Sequence, residues 1–166
     1  MTTTAAAAAR APDGAERCRG AVPFLVIGSS SIVAGGLVAA VTRPTGFDLG
    51  PWVAAFLVLV VGVAQIALGA GQAWLADQRP RPVTTRRELI AWNLGILATL
   101  VGSLQGAPVV TSAGGLVTVV ALAWFLGPVW ASTSGPRWAR LVYRAGVAVL
   151  LVSAPIGVLL AWTGSG

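Results

Sequence analysis

Long apolar runs separated by short polar clusters set the pattern of this chain. Residues 1–20 are small, polar and charged. Residues 21–41 then carry no charge, and Pro23 stands in the first turn, where a missing N–H costs little. A second uncharged run covers 51–76 and again opens on a proline, Pro51. A third begins near Glu88, and its apolar texture continues to Ala131. The last covers 141–162.

A membrane-crossing helix needs about 20 mostly apolar residues. Each of the runs 21–41, 51–76 and 141–162 therefore predicts one span. Residues 88–131 are too long for one. As a single helix those 44 residues would reach about 66 Å, against a hydrocarbon core of about 30 Å. The chain must turn back, or re-enter, and Gln105-Gly106-Ala107-Pro108 holds the helix breakers to do so. The pattern thus predicts an all-α, multi-pass transmembrane helix bundle of five spans, at about 21–41, 51–76, 88–106, 109–131 and 141–162. Spans three and four form an antiparallel hairpin. Residues 1–20 predict a disordered tail and 163–166 a short one. The first run lacks a signal-peptide cleavage site, so it reads as a retained helix.

Charge orients the bundle. All eleven basic residues are arginine. With the N-terminus inside, ten of them lie on the inner side: Arg10, Arg17, Arg19, Arg79, Arg81, Arg86, Arg87, Arg137, Arg140 and Arg144. Arg43 alone lies outside. The positive-inside rule selects this orientation, which puts the C-terminus outside. Six of the seven tryptophans fall at or near span ends, where indoles favour the interface; Trp124 lies deeper.

Composition changes the picture little. Charged residues make up 10% of the chain, against about 25% in soluble domains. The net charge of +6 would raise nucleic acid in a soluble protein. Here the arginines flank apolar runs, so topology accounts for them and no nucleic-acid partner is expected. The partner expected first is the bilayer, then other membrane subunits or a second copy. An Ala/Gly/Val-rich chain without lysine suggests a GC-rich bacterial genome, and with it a plasma (cytoplasmic) membrane.

Little chemistry accompanies these spans. There is no histidine, the only methionine is Met1, and the only cysteine is Cys18. Haem ligands are thus absent from the spans except for Tyr143, and zinc, copper or a histidine-based triad have no ligands or base. No phosphate-binding or dinucleotide motif occurs. No cofactor, metal or catalytic residue is expected. The acids Asp13, Glu16, Asp48, Asp77 and Glu88 fall in the tail, in loops or at span ends, which argues against a proton relay through them.

What remains are small-residue faces and a few polar side chains. Ser31, Gly35 and Ala39 share a face, as do Gly36 and Ala40, Gly95 and Thr99, and Gly114 and Thr118; such faces let helices approach in lipid. Gln65 and Gln72 share a face of span two, and Asn93 lies one turn inside span three. These three are candidates for a polar cavity, or for interhelical hydrogen bonds, as are Ser29, Ser30 and Ser31. Arg79, Arg81, Arg86 and Arg87 form an extended basic loop suited to lipid headgroups or a cytoplasmic partner. Thr85 stands three residues before Glu88, the capping-box spacing. The leading expectation is a non-catalytic accessory or assembly subunit of a larger membrane complex. The alternative is a small oligomeric transporter or permease for a neutral or lipid-like solute. A lipid-modifying enzyme ranks last, since only Asp77, Glu88 and nearby arginines are available to it.

Overall fold

The computed structural model describes residues 14–78 and 81–163, and these form five helices with no strand. Helix α1 is Gly14–Thr45, α2 is Gly50–Leu75, α3 is Pro82–Leu104, α4 is Pro108–Trp130 and α5 is Arg137–Thr163. Residues 1–13, with Met1 and Arg10, and 79–80, with Arg79, lie outside the described residues, as do 164–166. Helix α1 starts seven residues before the first uncharged run. Four segments are long and apolar enough to cross a membrane: Arg19–Thr45, Gly50–Leu75, Pro108–Trp130 and Arg137–Leu159. Helix α3 matches α4 in length, at 23 residues each. Its first turns carry Arg86, Arg87 and Glu88, which dilute its apolar character.

Proline sets three of the helix starts. Pro51, Pro82 and Pro108 all occupy the first positions of their helices, where the fixed φ is preorganised. Pro82 changes the basic loop most. It starts α3 early, so Arg86 and Arg87 lie on a helix rather than in an extended loop. Arg81 becomes the capping residue, with no side-chain cap bond, and Thr85 sits inside the helix instead of capping it.

The expected hairpin between 88 and 131 is present. Leu104 ends α3, Gly106 takes a left-handed φ of 62°, and the Ala107 amide closes the turn on the Gly102 carbonyl at 2.8 Å. Its two helices are zipped by three reciprocal glycine–threonine pairs. A Cβ on Gly95 would lie 2.6 Å from Thr118 Oγ1, one on Gly102 2.5 Å from the Thr111 amide nitrogen, and one on Gly114 2.5 Å from the Thr99 amide nitrogen. The backbones touch because one partner in each pair lacks a side chain.

Helices α1 and α2 pack the same way through Gly28, Gly35, Gly62 and Gly69, with the Phe24 ring lying over Gly69. The Gly36 face meets nothing. Residues 57–64 of α2 are π-helical. This wider turn sets the rotation between the Val60 face and the Gln65–Gln72 face that follows.

The core lies toward one end. Phe24, Leu68, Trp92, Phe125, Tyr143 and Val147 converge there. The Phe125 ring meets Phe24 at 5.4 Å and Trp92 at 6.1 Å, edge to face in both cases. Large aliphatic side chains such as Leu37, Leu116, Val149 and Leu159 point outward and are exposed. In water such a surface would drive association; against lipid tails it costs nothing. The helices at this end are joined by residues 76–81 and 131–136, so it is called the Asp77 end. The opposite end carries residues 46–49 and the turn at Gly106.

Candidate functional site

Two features occupy the interior, one above the other. The first is a polar cluster in the Asp77 half. Gln72 of α2 donates from Nε2 to Glu88 Oε1 of α3 at 2.9 Å. Glu88 is fully buried, as are Gln65 and Trp92. The second Glu88 oxygen, both amide atoms of Gln65 and the Trp92 indole nitrogen have no hydrogen-bond partner among the described residues. Tyr143 of α5 closes the cluster, its hydroxyl directed to the Phe125 carbonyl at 3.2 Å and the Leu68 carbonyl at 3.4 Å.

The second feature is a wedge in the Gly106 half, with a volume of about 570 Å³. That is within the usual size of a small-molecule pocket. Helix α2 contacts α4 and α5 through its C-terminal part, and the gap opens beside its N-terminal part. Trp52, Phe56 and Val60 line one wall. Trp92, Ile96, Thr99 and Ser103 of α3 line the second, and Thr111, Gly115, Thr118 and Leu122 of α4 the third. Leu150, Ser153, Ala154 and Val158 of α5 close it. The lining is mostly apolar. The Thr99 and Thr118 hydroxyls donate to their own helix, to the Gly95 and Gly114 carbonyls at 2.9 Å each. Only their lone pairs remain free to face the wedge.

The loop contacts at the Asp77 end form a clamp. The Asp77 carboxylate accepts from the Ser134 amide at 2.8 Å, the Ser132 hydroxyl at 2.9 Å and the Thr133 amide at 3.1 Å. Hydrogen bonding from Ser134, then Ser132, then the backbone of Thr133 and Ser134 holds this carboxyl down at about 2. The Ser132 hydroxyl also reaches the Leu75 carbonyl at the end of α2. Arg140 binds the Thr133, Ser134 and Gly135 carbonyls, and Arg144 the Val129 and Trp130 carbonyls that end α4. Cations suit a helix C-terminus. Arg87 lies over the Trp124 ring at 4.8 Å, which places the seventh tryptophan on the surface.

The sequence-predicted residues are only partly brought together. Gln65 and Gln72 do share a buried face, and Gln72 makes a bond between helices. Asn93 instead donates to the Leu89 carbonyl of its own helix at 2.8 Å, and none of the three lines the wedge. Ser30 and Ser31 also turn to their own helix, onto the Val26 and Ile27 carbonyls. Arg81, Arg86 and Arg87 are exposed around the start of α3; Arg79 lies outside the described residues. Asp77 and Glu88 are engaged separately, one in the loop clamp and one in the core, and do not share a cleft.

Glu88 and Trp92 were misplaced by sequence reasoning. Glu88 is a core residue rather than a solvated span end, and Trp92 is a core residue rather than an interfacial one. A signal existed. Positions 88, 92, 95, 96 and 102 follow helical spacing and all are buried, so Glu88 lies on the packing stripe of α3. Comparison of the chain with known protein families, curated proteins and solved structures finds no match.

Proposed function

We propose that this chain is a five-span membrane protein that holds an apolar, lipid-like molecule in the wedge between α2, α3, α4 and α5. The wedge carries the reading: a largely apolar gap of about 570 Å³, walled by helices, suits a ligand already dissolved in the bilayer. Of the expectations from sequence it stands nearest to the alternative, a small oligomeric transporter or permease for a neutral or lipid-like solute, but without Gln65, Gln72 and Asn93 lining the cavity. The test is binding to the full-length chain in lipid nanodiscs, using a tritiated long-chain alcohol as probe. Saturable binding is expected, and wedge-filling by Ala154→Phe or Gly115→Leu should abolish it. Non-saturable partition that is the same in all three proteins would overturn the reading.

Helix α3 is the fifth span in this reading. It is zipped to α4 from Gly95–Thr118 to Gly102–Thr111, so the two must cross the bilayer at the same depth. The arginine distribution puts the Asp77 end in the cytoplasm and the Gly106 turn outside, and the composition fits a bacterial plasma membrane. In a Cys18→Ser background, a cysteine at Gln105 should react with an impermeant maleimide in intact cells. One at Gln78 should react only after lysis. The reverse pattern inverts the topology.

The accessory-subunit reading keeps one observation of its own. Gly36, Gly127 and Gly146 face open space, where a helix of another chain can approach closely. Purification in mild detergent at native expression tests it: a stoichiometric partner supports assembly, and a chain that runs alone removes it.

A further inference from the structure

The polar cluster and the wedge meet at Trp92. Its ring lines the wedge, while its indole nitrogen is buried and unpartnered. Helices α2 and α3 run antiparallel with Gln72 opposite Glu88. Gln65 lies two turns back along α2, about 10 Å away along the axis. By rise alone that is level with the turn of α3 that holds Gly95 and Ile96, one turn past Trp92. Glu88 and Trp92 are one turn apart on the same face of α3, and Gln65 follows at the next level on α2.

A native interior rarely leaves so many polar atoms unpaired in one place. An intramembrane carboxylate with no basic partner among the described residues marks a candidate functional site in its own right. Their chemistry is mixed. The Trp92 N–H and the Gln65 amide NH2 are donors, and Gln65 Oε1 and Glu88 Oε2 are acceptors. An ammonium group would satisfy only the acceptors. A hydrocarbon would satisfy none. A hydroxyl donates once and accepts up to twice, so it can donate to Gln65 Oε1 while accepting from the Trp92 N–H.

We infer that the wedge takes an amphipathic alcohol, whose hydroxyl docks between the Trp92 indole N–H and the Gln65 amide while its apolar chain fills the wedge. The inference rests on the proposed ligand-binding role of the wedge and names the ligand class. Phe56, Ile96, Leu122 and Val158 then contact the chain.

Competition against the tritiated long-chain alcohol, with the full-length chain in nanodiscs, tests this. Unlabelled dodecanol and dodecane differ only in the hydroxyl. Sites built for a hydroxyl reject analogues that lack it, so dodecanol should compete at least about tenfold better. That preference should fall to near parity in both Q65L and W92F, with affinity for the alcohol probe reduced by a similar factor and its binding still saturable. Two variants guard against misfolding of either one, and Q65L removes unpaired atoms without removing volume. Equal competition by dodecanol and dodecane in the natural sequence overturns the hydroxyl site and leaves the wedge reading intact. A preference that survives both substitutions also overturns it. No saturable binding of the probe overturns both readings together.

Discussion

The two halves of this bundle solve the packing problem differently. In the Asp77 half, α2, α4 and α5 close around Phe125 and Tyr143, and the loop clamp of Asp77, Ser132 and Arg140 ties the helix ends together. In the Gly106 half, the α1–α2 and α3–α4 pairs keep close glycine-mediated contact, and a wedge separates them. Lipid tails offer no hydrophobic drive to close such a gap. An opening therefore persists wherever polar contacts and close packing are not supplied. Concentrating both at one end leaves the other free to accept a guest.

The largest expected effect tests that contrast directly. Gly69→Ala places a Cβ 2.3 Å from the Phe24 ring in the tight half, and should cost about 3 kcal/mol of stability. Gly115→Ala, in the wedge, meets only Val158 Cγ2 at 3.1 Å, and should stay within about 0.5 kcal/mol. Unfolding by titration with a denaturing detergent compares the two. Equal losses would mean that the wedge is as tightly packed as the core, and the comparison would fail.

Gln72→Leu comes next. It leaves the buried Glu88 without its one hydrogen-bond partner among the described residues, so about 2 kcal/mol should be lost, read in the same titration. No change would place Glu88 in contact with water instead.

The loop clamp contributes less and depends on pH. The Asp77 carboxyl is lowered from 3.8 to about 2, so its ionised form is the one the fold stabilises. That contribution is complete above 3.8, declines as pH falls toward 2 and is absent below. Asp77→Asn should lower the melting temperature at neutral pH, with the gap to the natural sequence closing below about 3. A gap that is constant with pH would show that charge plays no part in the clamp.

How much of this was legible follows from the physics of each element. Helix number and the Gly106 turn came through because the length of residues 88–131 and the breakers between them leave few alternatives. The glycine–threonine zipper was half visible. Gly95 and Thr99 stood out as a stripe, but only the structure pairs them with Thr118 and Gly114. Glu88 stands at a span end by hydropathy, but its helical face puts it in the core. The wedge was invisible, because a gap between helices is a property of crossing geometry and the π-helical turn at 57–64, and apolar lining residues look like lipid-facing ones. Gln65 and Gln72 were correctly placed on one face, whereas Asn93 was not, since a polar side chain in lipid can satisfy itself on its own helix.

The smallest expected effect on stability separates packing from function. Gln65→Leu removes two buried polar atoms that have no partner and substitutes a side chain of similar length. Each such atom costs about 1–3 kcal/mol when desolvated without compensation, and partners in the lipid-dissolved unfolded state reduce that difference. Stability should therefore hold or rise slightly, although the residue lies in the tight half where other substitutions are costly. Preference for an alcohol should be lost at the same time. A residue retained against stability is what a binding group looks like. A fall of more than about 1 kcal/mol in Gln65→Leu would instead make the amide a structural bridge, and the unpartnered polar atoms would then belong to the clamp rather than to the wedge.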